Sequence, residues 1–257
     1  MTSNRFQLTG KRAMITGGSR GLGFALAKGL AQQGADLILV ARTEEQLHHA
    51  ALKIQENINT NISRFAFDLY ETEHIPDFFQ QVVEDVKVVD ILINCAGINL
   101  RGSAEQLSLE TWDQVIKLDL TVPFVLSQAF CRHHQETKQP GRIINICSLL
   151  SEGGRPTTTP YAAAKAGLMN LTQALAVEWA PYRINVNAIG PGYFRTEMTE
   201  NLFQDKQINR WVLEKTPLQR WGNPDELVGA AVLLASDAGS FITGQILWVD
   251  GGWRAAL

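Results

Sequence analysis

Tyr161 and Lys165 stand four residues apart in the run PYAAAKAGL, and Ser148 lies thirteen residues before the tyrosine. A phenol with its ordinary pKa of about 10 is a poor proton donor and acceptor near neutrality. An ammonium ion one helical turn away favours the phenolate, so the pair reads as an acid–base unit in which Lys165 lowers the pKa of Tyr161. Ala162, Ala163, Ala164, Ala166 and Gly167 leave room for a cofactor and for neighbouring helices to come close. Ser148 would hold the substrate oxygen that Tyr161 protonates.

For this to work, Tyr161 and Lys165 must share a helix face and Ser148 must sit at a strand end. The sequence predicts both. Thr159 reads as an N-cap, Pro160 as the first helical residue and Pro181 as the stop. Short apolar, β-branched runs at 12–16, 36–41, 62–67, 89–94, 142–147, 183–189 and 245–250 have no polar alternation, as in parallel strands buried on both faces. Between them lie helical stretches at 21–34, 44–58, 72–86, 108–134, 160–180 and 223–236. This alternation predicts an α/β, doubly wound Rossmann fold, a seven-stranded parallel sheet in a single domain over residues 1–257. Ser148 then falls just past the fifth strand, where ligands of such sheets collect.

A glycine loop, TGGSRGLG, joins the first strand to the first helix. Gly17 permits a tight turn there, and Gly21 and Gly23 remove Cβ atoms that would keep a pyrophosphate from the helix N-terminus. Ser19 and Leu22 belong to the same loop. An NAD-binding chain carries an acidic residue at the end of the second strand for the ribose 2′-hydroxyl. Here Ala41 and Arg42 occupy that place, and Arg42 with Arg20 and Ser19 suits a 2′-phosphate, so NADP(H) is the expected cofactor, with NAD(H) still open.

The totals exclude other classes. Of 257 residues 45% are hydrophobic, the net charge is −3, and no basic block marks a nucleic-acid or anionic-membrane partner. No apolar run reaches membrane-spanning length and no leader is evident, so a cytoplasmic protein acting on a small molecule is expected. Cys95, Cys131 and Cys147 form no CxxC pair and read as buried thiols. The five histidines show no metal-ligand spacing and read as surface helix residues. No metal site is expected.

With these pieces in hand, the chain resembles the short-chain dehydrogenase/reductase family over nearly its whole length. The resemblance rests on TGGSRGLG, Asp68, NCAG at 94–97, Ser148, YAAAK and PGYFRT at 191–196. It implies that Asp68 and Leu69 border the adenine, that Asn94, Ala96 and Gly97 border the cofactor ribose, and that Lys165 holds the nicotinamide ribose. It further implies that Pro191 and Gly192 line the nicotinamide, that Thr196 anchors its carboxamide, and that the chain forms a homotetramer. Runs such as VEWAPYRINVNAIGPGYFRTEMT are similar to the branch that interconverts gluconate and 5-ketogluconate. For an acidic substrate of this kind Arg101 and Arg155 are the candidate carboxylate ligands.

Two positions depart from the family pattern. Cys95 replaces an asparagine, which removes an amide. Asp119 stands where the resemblance implies a catalytic asparagine, with Val122-Pro123 in place of Gly-Val. A carboxylate beside Lys165 would complete a proton path while opposing tyrosinate, which predicts an active enzyme with an altered pH profile. Trp211 and Trp221 flank residues 197–221, expected to be a mobile lid, and read themselves as core packing. A 3-oxoacyl-carrier-protein reductase would instead need a basic surface beside the cleft. A nucleotide-sensing protein that does no catalysis would not need Ser148, Tyr161 and Lys165.

Overall fold

Strands β1 (Arg12–Thr16), β2 (Asp36–Ala41), β3 (Ile62–Ala66), β4 (Ile91–Asn94), β5 (Gly141–Ile146), β6 (Ile184–Pro191) and β7 (Ile246–Val249) form a seven-stranded sheet in the order β3-β2-β1-β4-β5-β6-β7. Every pairing is parallel. The computed structural model describes residues 4–256. The central runs are buried on both faces, with Ile15, Leu39 and Ile93 in one core and Met14, Ile38 and Leu92 in the other, whereas the edge strands β3 and β7, expected to be buried likewise, are only partly covered because each has a neighbour on one side alone. The order reverses between β1 and β4, which opens a crevice at their C-terminal ends.

Helices α1 (Gly21–Gln32), α2 (Glu44–Gln55), α3 (Ile75–Val86), α4 (Leu109–Ile116), α5 (Val122–Thr137) and α6 (Thr159–Trp179) flank the sheet. The stretch expected as one long segment at 108–134 is broken by a wide turn at Lys117–Thr121, where the Val122 N–H reaches back to the Lys117 carbonyl. Pro123 explains the break. It has no N–H to give the Asp119 carbonyl four residues earlier, so the helix relaxes into a π-type turn there. Asp119 sits in that turn and is fully buried.

Two expectations need correction. Thr159 is the first residue of α6 and Thr158 is its cap position, because the Thr158 hydroxyl donates to the Arg155 carbonyl at 2.8 Å and fixes the loop one residue earlier. His134 is no surface residue: it is 1% exposed, and its two ring nitrogens lie 2.9 Å from the Gln139 and Val89 carbonyl oxygens. Residues 197–221 are structured, holding α7 (Glu200–Gln204) and α8 (Lys206–Lys215). Asp205 caps α8 by accepting from the Gln207 and Ile208 N–H groups at 2.9 and 3.0 Å. A clasp closes this excursion at its base, where the Gly222 N–H donates to the Tyr193 carbonyl at 2.8 Å and the Arg195 N–H to the Gly222 carbonyl at 3.0 Å. Helix α9 (Val228–Ala235) then packs under α1 before β7. Among the described residues no helix is long and apolar enough to cross a membrane.

Candidate active site

The glycine loop leaves β1 at Thr16, whose hydroxyl oxygen accepts from the Cys95 and Ala96 N–H groups at 3.0 and 3.1 Å. One side chain thus ties together the ends of β1 and β4, the two sides of the crevice. Gly17 and Gly21 have φ of +67° and +56°, the left-handed region where a side chain is strained. A Cβ on Gly21 would meet nothing closer than Thr196 at 3.9 Å, so the space before α1 is open. The first helical N–H groups, of Gly21, Leu22 and Gly23, have no partner within the helix and face that space, a fit for a pyrophosphate. Gly23 serves differently from the sequence expectation. A Cβ there would lie 2.2 Å from the Gly17 carbonyl oxygen, so it allows α1 to pack on its own loop rather than a ligand to approach.

Arg42, just past β2, is exposed and, among the described residues, makes no salt bridge. Ser19 is half-buried within the loop. Arg20 is engaged: its Nη1 lies 3.1 Å from Glu197 Oε2, with both side chains largely exposed. Asp68 follows β3 and accepts from the Tyr70 N–H at 3.0 Å, while Leu69 beside it is buried. Asn94 departs from expectation. Its amide donates to Asn145 Oδ1 at 2.8 Å and to Ser127 Oγ at 3.2 Å inside the core, which leaves only its main chain to border the crevice. Ala96 and Gly97 continue that border. Pro191 ends β6 and Gly192 follows it, where a Cβ on Gly192 would lie 2.7 Å from Asp250 Cα. Thr196, next to Gly21, caps the turn that begins the excursion.

Ser148, Tyr161, Lys165 and Asp119 converge beyond β5. Ser148 caps the short turn Leu149–Ser151, accepting from the Leu150 N–H at 3.2 Å, and its hydroxyl faces the Tyr161 phenol. Lys165 lies below, its Nζ 5.5 Å from the Tyr161 ring centre. That ammonium donates to the Ile146 carbonyl at 3.0 Å and sits 3.1 Å from Asp119 Oδ2. The Asp119 contact is an ion pair, and among the described residues Oδ2 has no donor besides that ammonium. The other oxygen, Oδ1, accepts from the Ile98 N–H at 2.8 Å. Gly97 makes room for the carboxylate, since a Cβ there would lie 2.7 Å from Oδ2.

The electrostatics at Tyr161 set burial against the charge of Lys165, which acts in the expected direction. Burial pushes the phenol above the ordinary value; Lys165 and the Ser148 hydroxyl pull it down, and Asp119 pushes it up again. Burial also raises the Asp119 carboxyl, against the pull of Lys165 and the Ile98 N–H. Lys165 is raised above its ordinary value: burial opposes its charge, but Asp119 and Tyr161 outweigh that. The ammonium is therefore firmly held, and part of its field is spent on Asp119 rather than on the phenol.

The structure brings Arg101 and Arg155 together. The Gly102 N–H donates to the Thr157 carbonyl at 3.1 Å, tying the loop after β4 to the loop before α6. Burial and the neighbouring Arg155 charge both push Arg101 below its ordinary value. Neither arginine meets a carboxylate among the described residues. Arg155 rests instead on aromatics, donating to the Tyr193 hydroxyl at 2.9 Å and lying 4.6 Å from the Trp211 ring centre. Thr157 holds φ of +69°, costly for a β-branched residue, beside this cluster.

Sequence reading missed Tyr193 and Trp253, which pack 5.1 Å apart between ring centres and share Trp211 as a neighbour. Only the PGYFRT run pointed to Tyr193, and nothing local marked Trp253. Trp221 is the core residue expected, 6% exposed, with its indole N–H donating to Asn209 at 2.9 Å. Trp211 is half-buried and belongs to the arginine platform. Cys95, Cys131 and Cys147 are free thiols, and burial pushes Cys95 up to about 12.

Comparison with known proteins agrees with this geometry. Residues 17–254 match the family model described as enoyl-(acyl carrier protein) reductase. The chain is 41% identical over 252 residues to gluconate 5-dehydrogenase of Gluconobacter oxydans (strain 621H), covering 98% of each chain. It is 42% identical over 253 residues to 5-keto-D-gluconate 5-reductase of Escherichia coli (strain K12), again covering 98% of each. A crystal structure of a gluconate 5-dehydrogenase from Burkholderia cenocepacia J2315, in complex with NADP and tartrate, superposes with a TM-score of 0.93 at 39% identity, covering 99% of each chain. With the glycine loop, the Ser148–Tyr161–Lys165 cluster and the sheet order, these matches establish that the chain belongs to the short-chain dehydrogenase/reductase family, as an oxidoreductase of CH–OH groups.

Proposed function

We propose that the protein interconverts D-gluconate and 5-keto-D-gluconate with NADP(H), or handles a closely similar polyhydroxy acid. The observation that carries the reading is the Arg101–Arg155 pair, two cations beside the Ser148–Tyr161 loop that meet no carboxylate among the described residues. A polyhydroxy acid supplies the missing anion and, at the other end, the secondary alcohol to be oxidised. The relatives named for gluconate and 5-ketogluconate chemistry support the substrate, and the NADP complex of the B. cenocepacia protein supports the cofactor.

When bound, the cofactor supplies the hydride acceptor in oxidation and the donor in reduction. Gly17, Gly21 and the N-terminal N–H groups of α1 would hold its pyrophosphate, and Arg42 with Ser19 would meet the 2′-phosphate. Arg20 would join them by exchanging its exposed partner Glu197. Asp68 and Leu69 border the adenine; Pro191, Gly192 and Thr196 border the nicotinamide end. In reduction Tyr161 gives its proton to the oxygen developing on the ketone carbon while Ser148 donates a hydrogen bond to that oxygen. Lys165 keeps a positive charge below the phenol and has an N–H left for the cofactor ribose beyond its two partners. Oxidation reverses these roles.

The chain also fits a homotetramer working in the cytoplasm. β7 lies at the sheet edge yet is half-buried throughout, and Val177 and Phe241 are exposed apolar residues that a partner would cover. Initial rates from nicotinamide absorbance test the reading, using D-gluconate, 5-keto-D-gluconate and an uncharged hexitol with each cofactor. Turnover of the acid with NADP+ at a lower KM than with NAD+ supports it. Equal use of the hexitol, or a preference for NAD+, overturns it.

A further inference from the structure

Lys165 is one ammonium facing two groups that can carry negative charge. One is the Tyr161 phenol, whose ring centre is 5.5 Å away, and the other is the Asp119 carboxylate at 3.1 Å. Asp119 is closer, has no exposed surface, and is held by the Ile98 N–H at 2.8 Å and by the glycine at 97 that leaves it space. We infer that Asp119 is a positioning residue that sets the pH window of the reaction, by binding the Lys165 ammonium as its own counterion instead of leaving that charge to the tyrosinate.

The inference rests on Tyr161 being the group that exchanges the proton, and it does not depend on which alcohol is the substrate. The charged and titratable groups facing the phenol are few. Lys165 comes from its own helix, Asp119 from the π-type turn and Cys147 from the end of β5. Cys95, past β4, faces Lys165, and Tyr70, past β3, faces Asp119. Burial pushes the Cys147 thiol up to about 11 and Cys95 up to about 12, so both are neutral through the working range. Tyr70 is likewise raised, by burial first and by Asp119 next. Lys165 and Asp119 are therefore the charges that bear on Tyr161, and they oppose each other.

The sign follows. With Asp119 ionised, a second negative charge on Tyr161 is disfavoured, so the phenol stays protonated to higher pH. Proton donation, and hence ketone reduction, then extends further into the alkaline range, while alcohol oxidation, which needs the phenolate, begins later. Asparagine at 119 keeps the shape and the acceptor for the Ile98 N–H and removes the charge. Both limbs must move together, because one group is the acid in one direction and the base in the other.

The test is kcat/KM against pH in both directions for wild type and Asp119→Asn, with cofactor saturating. The expected result is a shift of both limbs to lower pH by about one unit or more, which is about a tenfold gain in oxidation at a fixed pH on its rising limb. A residue that only supports the fold would lower the rates evenly and leave the limbs in place. Limbs that stay put, or move to higher pH, overturn the inference. Tyrosinate absorbance of the NADP+ complex, taken as the difference from the matching Tyr161→Phe protein, reads the same shift with no substrate. A missing gluconate activity alongside a shifted tyrosinate therefore removes the proposed substrate and leaves this inference standing. Should Asp119→Asn fail to fold, Asp119→Ser, which also removes the charge, takes its place in the same tyrosinate difference titration: a midpoint below that of wild type supports the inference, and an equal or higher one overturns it.

Discussion

The Arg155 guanidinium donates to the Tyr193 hydroxyl at 2.9 Å while its Cζ lies over the Trp211 ring, 4.6 Å from the centre. A long cation is thereby ordered by the fold itself, so an anion bound there, as proposed, would not have to fix it. Arg101 lies close enough to add a second positive charge.

Arg155→Lys should lose the planar fork and the aromatic support together. KM for D-gluconate is expected to rise about 10- to 100-fold with kcat little changed, the cost of one charge-assisted hydrogen bond. Initial-rate kinetics check this, and an unchanged KM would remove Arg155 from the acid site.

Tyr161→Phe removes the proton that reduction delivers while keeping the ring. A loss of about 10²- to 10⁴-fold in kcat is expected in both directions. Cofactor affinity, followed by tryptophan fluorescence quenching, should hold within a few fold. Wild-type rates in this variant would end the acid–base assignment.

Arg42→Ala tests the cofactor choice at the end of β2. KM for NADP+ should rise about 10- to 100-fold, as one charge-assisted contact to a phosphate is lost, with KM for NAD+ nearly constant. Equal changes for both cofactors would mean that Arg42 does not read the phosphate.

Gly23→Ala places a methyl carbon 2.2 Å from the Gly17 carbonyl oxygen. The loop or the helix must shift, at about 1–3 kcal/mol of stability. Thermal unfolding should show a lower midpoint, and cofactor titration a weakened affinity. A variant equal to wild type in both would contradict the packing role given to this glycine.

Much of this architecture was legible because parallel strands are covered on both faces. Runs such as DLILVA carry that fact in their composition, and β2 (Asp36–Ala41) falls where the run predicts it. Ser148, Tyr161 and Lys165 were legible for a different reason, a spacing that one helix and one strand end convert directly into proximity. The break at Lys117–Thr121 was harder to see, although Pro123 marked it, because helical periodicity continues on both sides. The net direction at Tyr161 was not legible at all. It depends on how burial weighs against two opposite charges, and burial is a property of the assembled crevice. The aromatic platform was equally hidden, since Tyr193, Trp211 and Trp253 come from three separate stretches of chain.

Pro191, Gly192 and Tyr193 follow one another without a gap, and the main chain is pinned there on both sides. The Gly192 N–H donates to the Val249 carbonyl at 2.9 Å, and the Tyr193 carbonyl accepts from Gly222 at 2.8 Å. The proposed wall for the nicotinamide and the prop for Arg155 are thus one pinned tripeptide, and a shift of one carries the other with it. Arg42 is remote from it, with β1, β4 and β5 standing between β2 and β6. On the proposed assignment, exchanging Arg42 should therefore change nucleotide preference alone, whereas substitution of Tyr193 should disturb the nicotinamide wall together with the prop for Arg155.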